Sequence, residues 1–295
     1  MKQYRTITCI NADGASLTVT EKDFTPFLLT GADGIYDSAN QVYISENSMT
    51  DGAIYQGSVA KYRNIVLRLA DVDTYRDNRD ILNQIFKEKE KGTLIYREGD
   101  GPARKIGYYV ESLTSTGLHS SREHEISLIC PDPFFREAND HEEAMAGWAS
   151  AFEFPFSNPI YQYFEFGYQH KERLKTITNT SAEDGIGLEI IIESTGTATN
   201  PRVIRIESAE ALEIGSDAKP FTMQAGDVVT ITTETGNKHV RLTRDGNTEE
   251  INHYLTEDSI FFQLARGDNS IGYEADTGEE YLTVTLRYNF KYARA

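Results

Sequence analysis

The sequence predicts a mainly β protein of two domains with a single amphipathic helix, and three observations carry that expectation. Short runs that alternate apolar and polar residues recur along all 295 positions, separated by turns rich in Gly, Asn and Asp. Seventeen Tyr and fourteen Phe stand against four Met and one Trp, and aromatic side chains suit a pleated, half-buried surface. The length fits two domains at ~100–200 residues each. Near its middle, Pro131-Asp-Pro133 interrupts the pattern, because proline cannot donate to a sheet ladder.

In the first half, residues 4–10 and 15–20 read as two strands around an Asn11-Ala-Asp-Gly14 turn. Gly31-Ala-Asp-Gly34 reads as a second turn. Residues 35–58 follow, with Tyr36, Val42, Tyr43, Ile44 and Tyr55 spaced among polar residues. That spacing predicts a long hairpin or loop with weak core contacts, which makes these five residues the candidate inter-subunit segment. Residues 62–70 alternate as a half-buried strand does. The helix comes next. Asp73 or Thr74 can cap it, and Tyr75, Asn78, Leu82, Ile85 and Phe86 fall on one stripe with Ile81 beside it. Lys87, Lys89 and Lys91 suit the negative end of its dipole, and Gly92 reads as its stop. Residues 93–97, 105–113 and 124–130 read as three more strands.

Residues 137–150 have the composition of a short helix and read as part of a connector over 137–153, between a domain at 1–136 and one at 154–295. The second set has strand patterns at 160–166, 188–193, 201–207, 228–233, 238–243, 260–264 and 281–290. Turn signals separate them, Gly236-Asn237, Asp245-Gly246 and Gly267-Asp-Asn269 among them, as in a sandwich.

The net charge of −17 is uneven. Residues 1–136 hold 16 Lys and Arg against 19 Asp and Glu, a balance of −3, and the remainder carries −14. So acidic a second half repels phosphate backbones, which argues against specific nucleic-acid binding. Two cysteines, Cys9 and Cys130, are too few and too far apart for a metal knuckle or a disulfide framework. They read as reduced, partly buried thiols, in keeping with assembly in a reducing cytoplasm. The first ten residues lack the apolar core of a secretory signal, and no apolar run approaches the ~18 residues of a membrane span.

No catalytic, cofactor-binding or metal-ligating set emerges. There is no phosphate-binding glycine loop. His119 and His124 are five apart with no third ligand nearby, and Ser120-Ser121 beside His119 lack an orienting acid and an oxyanion hole. Glu142-Glu143 and Glu279-Glu280 are sequence neighbours, whereas catalytic carboxylates face each other across a cleft. Arg266-Gly-Asp268 belongs to a turn. The aromatic run 152–168 suits a sandwich core strand, with a sugar-stacking platform as the alternative.

Three pieces in order resemble the siphophage distal tail protein family. They are Gly52-Ala-Ile-Tyr-Gln-Gly-Ser58 with Arg63-Asn-Ile-Val-Leu67, the single helix followed by Leu94-Ile-Tyr96, and Leu128-Ile-Cys-Pro-Asp-Pro-Phe-Phe135. In the second half Thr178-Asn179, Asn200-Pro-Arg-Val-Ile-Arg-Ile206, Gly226-Asp-Val-Val-Thr-Ile231 and Leu264-Ala-Arg-Gly-Asp-Asn-Ser-Ile271 follow the family's order more loosely. The resemblance implies an N-terminal tail-tube-like β-sandwich with one flanking α-helix, and a C-terminal galectin-like β-sandwich. It implies a structural protein of the virion's tail tip or baseplate, not an enzyme, with no cofactor. The expected partners are five further copies in a homo-hexamer, the tail tube protein, the tail-associated hub protein and receptor-binding or other baseplate proteins. A carbohydrate-binding module fused to an oligomerisation domain is the competing reading. A sandwich glycosidase is a third, and it requires two carboxylates converging in a cleft.

Overall fold

Alternation in the first half becomes strands whose apolar residues share one interior. In a computed structural model, residues 4–22, 26–46, 51–72, 77–117, 122–150, 167–171, 173–181 and 183–295 are described. The chain divides into two compact units, residues 1–138 with 291–295, and residues 139–290.

The first unit contains β1 (Arg5–Ile10), β2 (Ser16–Thr20), β3 (Phe27–Asp33), β4 (Asn40–Glu46), β5 (Ala53–Ala60), β6 (Arg63–Asp71), α1 (Asp77–Ile85), β7 (Gly92–Glu98), β8 (Arg104–Thr116), β9 (Glu123–Cys130) and β10 (Phe135–Glu137). Hydrogen bonding runs β8–β7–β1–β2–β3–β6–β9, and β9 pairs back onto β8, so seven strands close on themselves. Closure satisfies the backbone groups that an open edge would leave unpaired. The weak seam is β2–β3, a parallel contact with the single pair Thr20↔Leu28. Ile7, Phe27, Leu67, Leu94, Ile126 and Leu128 fill the interior, and Leu82, Ile85 and Phe86 of the helical segment join the same core.

The helix is shorter than the sequence predicts. It ends at Ile85, one further turn is closed by Phe86 N–H donating to Leu82 O, and Lys89 adopts φ 66°. Lys87 reaches across to Asp13 and does not cap a last turn. Gly92 is no helix stop either. It opens β7 under the Tyr108 ring, where a Cβ would lie 2.3 Å from the ring's Cζ. The cap candidates Asp73 and Thr74, with Tyr75, lie outside the described residues. The Gly31–Gly34 turn is also displaced, because β3 runs through Asp33 with an irregularity between Leu29 and Gly31. Backbone pairing with β6 overrides the local turn preference there.

The second unit contains β11 (His141–Ala144), β12 (Ala146–Ser150), β13 (Gly167–Lys171), β14 (Leu174–Asn179), β15 (Leu188–Ser194), β16 (Ala198–Thr199), β17 (Arg202–Arg205), β18 (Glu210–Glu213), β19 (Thr222–Met223), β20 (Val228–Thr232), β21 (His239–Arg244), β22 (Asn247–Glu250), β23 (Gly267–Glu274) and β24 (Leu282–Tyr288). One sheet runs β11–β24–β15–β20–β21–β22 and another β14–β23–β17–β18. Ile190, Ile192 and Val284 are buried from the first, Val203, Leu212 and Ile271 from the second. A last strand, β25 (Lys291–Tyr292), belongs to the first unit, where Phe135↔Tyr292 pairs it with β10. The mainly β class with one α-helix therefore holds among the described residues.

Residues 137–150 form strands and not the expected helix. Pairing of His141 with Tyr288 and Ala144 with Thr285 overrides the helix preference of the Glu and Ala there. Residues 260–264 make only an isolated bridge, Leu264 with Ile186. The Gly267 turn opens a strand, because buried Asn269 folds the corner onto its own backbone through Ala265 N–H and O, both 2.8 Å away. The expected strand at 160–166 lies outside the described residues. Inside the second unit Asp227 is buried and accepts from Gln224 N–H at 2.7 Å and Arg244 Nε at 2.9 Å.

Two stability measurements test this packing. Phe86→Ala is expected to cost ~3–5 kcal/mol and Lys89→Ala to stay within about 0.5 kcal/mol. Equal, small effects in denaturant titrations would place the helical segment off the core. The hydrogen bond from Arg244 holds the Asp227 carboxyl below the usual carboxylate range, against the cost of burial. That contribution to stability is present above the unfolded carboxyl's pKa and is lost as pH falls through the lowered value. Denaturation at pH 5 and pH 3 checks it, because Asp227→Asn is expected to show the smaller acid-side loss.

Candidate inter-subunit surface

The segment singled out from sequence forms a two-stranded hairpin of β4 and β5, with pairs from Asn40↔Ala60 to Glu46↔Ala53. The register shifts between Tyr43 and Ile44, which pair with Gly57 and Tyr55. Among the described residues neither strand joins a larger sheet. Every residue of β4 is exposed, and every residue of β5 but Gly57. Strand alternation then places Val42, Ile44 and Tyr55 on one face and Tyr43, Ile54 and Val59 on the other. Ile54 and Tyr55 are 69% and 63% exposed. Glu46 is the only charged residue in the two strands. Exposed edge strands are normally blunted by lysine, proline or inward charge, and an isolated hairpin is marginal in water. A hairpin with apolar residues on both faces, and a single charge along its two strands, has the physical properties of an association element.

The base of the hairpin is built differently from its tip. Tyr36 does not extend outward with the other four candidates. Its ring meets Tyr96 edge-on at 5.9 Å, and its hydroxyl bonds the Tyr96 hydroxyl and donates to Glu98 at 2.7 Å. Burial pushes the Tyr96 phenol well above its usual pKa. Lys61 N–H closes the neck by donating to Ala39 O at 2.9 Å.

Beside the neck sits Arg63, a residue that the sequence reading did not single out. It is 6% exposed, and its guanidinium lies 5.0 Å over the Phe135 ring. It donates from Nε to Pro133 O at 2.8 Å, from Nη1 to Gly34 O at 2.6 Å, to Ile35 O and to Asp37 O, and from Nη2 to Ala293 O at 2.5 Å. Gly34 permits the close approach, since it takes φ 81° and a Cβ would sit 2.0 Å from Asn64 O. The signal for Arg63 was in the sequence. It is in phase with Ile65, Leu67 and Leu69 on β6, so the alternation already turned it inward.

The described residues hold no group of three or more His, Cys, Asp or Glu side chains placed to bind a metal ion. His119 and Ser120-Ser121 lie outside them, as does most of the aromatic run 152–168. Glu142 pairs with Arg287 at 2.8 Å and Glu143 with Lys175 at 2.9 Å, as a solvated face would. Cys9 and Cys130 are free and buried, and burial pushes the Cys130 thiol up to about 12, which leaves little thiolate. One Ser–His–Asp set does meet. Ser115 Oγ lies 2.7 Å from His124 Nδ1, and Asp71 Oδ1 lies 3.3 Å from His124 Nε2. Asn78 also donates to Asp71 at 3.2 Å, and the Phe27 ring meets the imidazole edge-on. His124 and Asp71 are buried side chains that tie β6, β9 and the helix together.

Comparison with known proteins gives these features a setting. Residues 186–292 match the model of the siphovirus-type tail component, C-terminal domain. The rest of the chain shares the fold of distal tail proteins. The SPP1 Dit protein, described as a paradigm of hub adsorption apparatus in phages that infect Gram-positive bacteria, superposes with a TM-score of 0.65 at 13% identity, covering 97% of this chain and 99% of its own. A chain of the phage P2 baseplate, in its activated conformation with calcium, gives 0.55 at 12% identity over 99% of both chains. The strontium form gives 0.56 at 11%, again over 99% of both. No curated protein matches the sequence. The chain thus has the fold of these tail and baseplate proteins.

The Ser115–His124–Asp71 set brings β8, β9 and β6 together at a buried imidazole. His124→Ala is expected to destabilise the first unit by roughly 2–4 kcal/mol, through a lost core ring and an Asp71 carboxylate left buried. Ser115→Ala, at an exposed position, is expected to cost under about 1 kcal/mol. A fluorophosphonate probe is expected to leave Ser115 unlabelled. Labelling that disappears in His124→Ala would make the set a hydrolase centre.

Proposed function

We propose that six copies form a ring at the distal end of the tail tube and join the tube to the host-adsorption apparatus. Residues 1–136, with the returning 291–295, form the ring body, and β4–β5 lies against a neighbouring copy. Residues 154–290 are the galectin-like platform, which docks receptor-binding or other baseplate proteins, while the ring meets the tail tube protein and the tail-associated hub protein. Assembly takes place in the bacterial host cytoplasm. The observation that carries this reading is the hairpin, whose Val42, Ile44 and Tyr55 face and Tyr43, Ile54 and Val59 face are both exposed within one chain. Burial of such surface at ~25 cal/mol per Å² favours a second copy over water on each side.

Charge supports the same division. A balance of −3 over residues 1–136 permits close packing of ring bodies, whereas −14 over the remainder favours platforms held apart in solvent. The likeness to SPP1 Dit, described as a hub adsorption apparatus, agrees with a role at this position in the tail.

Light scattering of the full chain tests the ring. The expected mass is six times the 33.2 kDa of one chain. Ile44→Glu combined with Tyr55→Glu is expected to give monomers with an unchanged thermal midpoint, since neither side chain contributes to the core. A double variant that keeps the oligomer would assign the ring contacts to another surface.

A further inference from the structure

The chain leaves the first unit after Ala138 and re-enters it at Lys291. The leaving and returning segments pair with each other as β10 and β25, through Phe135↔Tyr292 and Arg136↔Lys291. This ribbon is fastened to β8 by Arg136↔Lys105 and Glu137↔Arg104. It is fastened again where the Arg104 guanidinium lies 3.2 Å from the Tyr292 ring centroid and the Tyr292 hydroxyl donates to Glu137 at 2.7 Å. Arg63 then binds the ribbon from its other end, through the carbonyls of Pro133 and Ala293 and the face of Phe135. The same guanidinium holds Gly34, Ile35 and Asp37, the incoming leg of the hairpin, and Arg63 itself lies three residues beyond the outgoing strand β5.

We infer that Arg63 is a coupling residue, and that it ties the crossover ribbon to the neck of the association hairpin so that release of one loosens the other. The inference rests on the reading of β4–β5 as an association element, but its test does not depend on oligomerisation. Arg63 is suited to the task because a guanidinium has five N–H donors in a fixed plane and no alternative acceptor role. The carbonyls it binds come from three separate stretches, residues 34–37, residue 133 and residue 293. None of its hydrogen-bond acceptors is a carboxylate, so beside the attraction of the Asp37 charge the buried cation is held by backbone dipoles whose directions depend on all three stretches being in place. If the ribbon withdraws, Arg63 loses the Pro133 and Ala293 carbonyls and the Phe135 face together. Water or a shifted rotamer then satisfies it, and the geometry presented to Gly34 and Asp37 changes.

The test is amide hydrogen exchange on the full chain, read at the neck and strands of the hairpin, residues 39–46 and 53–61. Three chains are compared with the wild type: Arg63→Met, a chain ending at Phe290, and the two changes combined. Each single change is expected to speed exchange across the hairpin by about ten-fold or more, while core amides of β1 and β6 keep their protection. The combined chain is expected to exchange no faster than Arg63→Met alone, because both changes break one linkage. Arg63→Lys, which keeps the charge but not the planar fork, and Tyr292→Ala, which removes the stack on Arg104, give the same non-additive pattern where a larger change unfolds the barrel. The inference is overturned if loss of residues 291–295 leaves hairpin exchange at the wild-type rate, or if the two effects multiply as independent ones do. Scattering on the same samples separates this outcome from failure of the ring, since coupling without hexamers would retain Arg63's role and remove only the association assigned to the hairpin.

Discussion

Closure of the first sheet is the constraint on which the rest of the first unit depends. Because β9 pairs with both β6 and β8, seven strands satisfy one another, and the interior is sealed around Ile7, Leu67 and Leu128. A closed set of strands has little backbone left to offer a partner. The hairpin escapes that economy. β4 and β5 leave between β3 and β6, which remain paired through Leu29↔Leu69, so the excursion costs the barrel nothing in core packing. Stability and the proposed association are thereby assigned to different residues of one unit. The core residues can stay fixed while the hairpin's side chains face outward on both sides.

The second unit solves the edge problem in another way. Its six-stranded sheet ends at β22, a four-residue strand that is exposed throughout and carries Glu249 and Glu250. A short, acidic edge resists pairing with another chain. At the edge of the other sheet, Thr256 N–H and Ile260 N–H donate to the carbonyls of Glu213 and Ala211, so the loop after β22 covers β18. The contrast with β4–β5 is physical. One unit guards its edges with charge and a covering loop, and the other presents two long edges with a single carboxylate between them.

Strands with strict alternation were legible in the sequence because one buried face leaves a period-two trace, as in Ile65, Leu67 and Leu69 or in Leu188, Ile190 and Ile192. The hairpin was legible for the opposite reason, since its apolar residues had no partner pattern to follow. What sequence missed had its cause elsewhere in the chain. β23 looked like a turn until Asn269 was seen to make that turn alone, and β11 looked helical until Tyr288 and Thr285 supplied a partner strand. Helix length failed similarly. Lysines 87, 89 and 91 fit a helical last turn, but the path to β7 requires the backbone to reverse at Lys89. Of the five candidate residues, four lie on the hairpin itself, and Tyr36 anchors its base through Tyr96 and Glu98.

Arg63 shows why a buried charge can be retained where an apolar residue would pack more cheaply. A hydrophobic side chain at this in-facing position would avoid the desolvation cost of a cation, and such replacements are often neutral or stabilising in proteins. It would also accept many arrangements of its neighbours, because apolar contact has no direction. Three guanidinium nitrogens donating to the carbonyls of Gly34, Ile35, Asp37, Pro133 and Ala293 accept very few. The three stretches that carry those carbonyls are the leg of the hairpin and the two passages between units, all of which lie outside the closed set of seven strands. The barrel core holds itself together by apolar burial, but its attachments need a fixed geometry relative to it. One planar cation at the start of β6 supplies that geometry to all of them at once, and specificity of arrangement is the physical return on its burial.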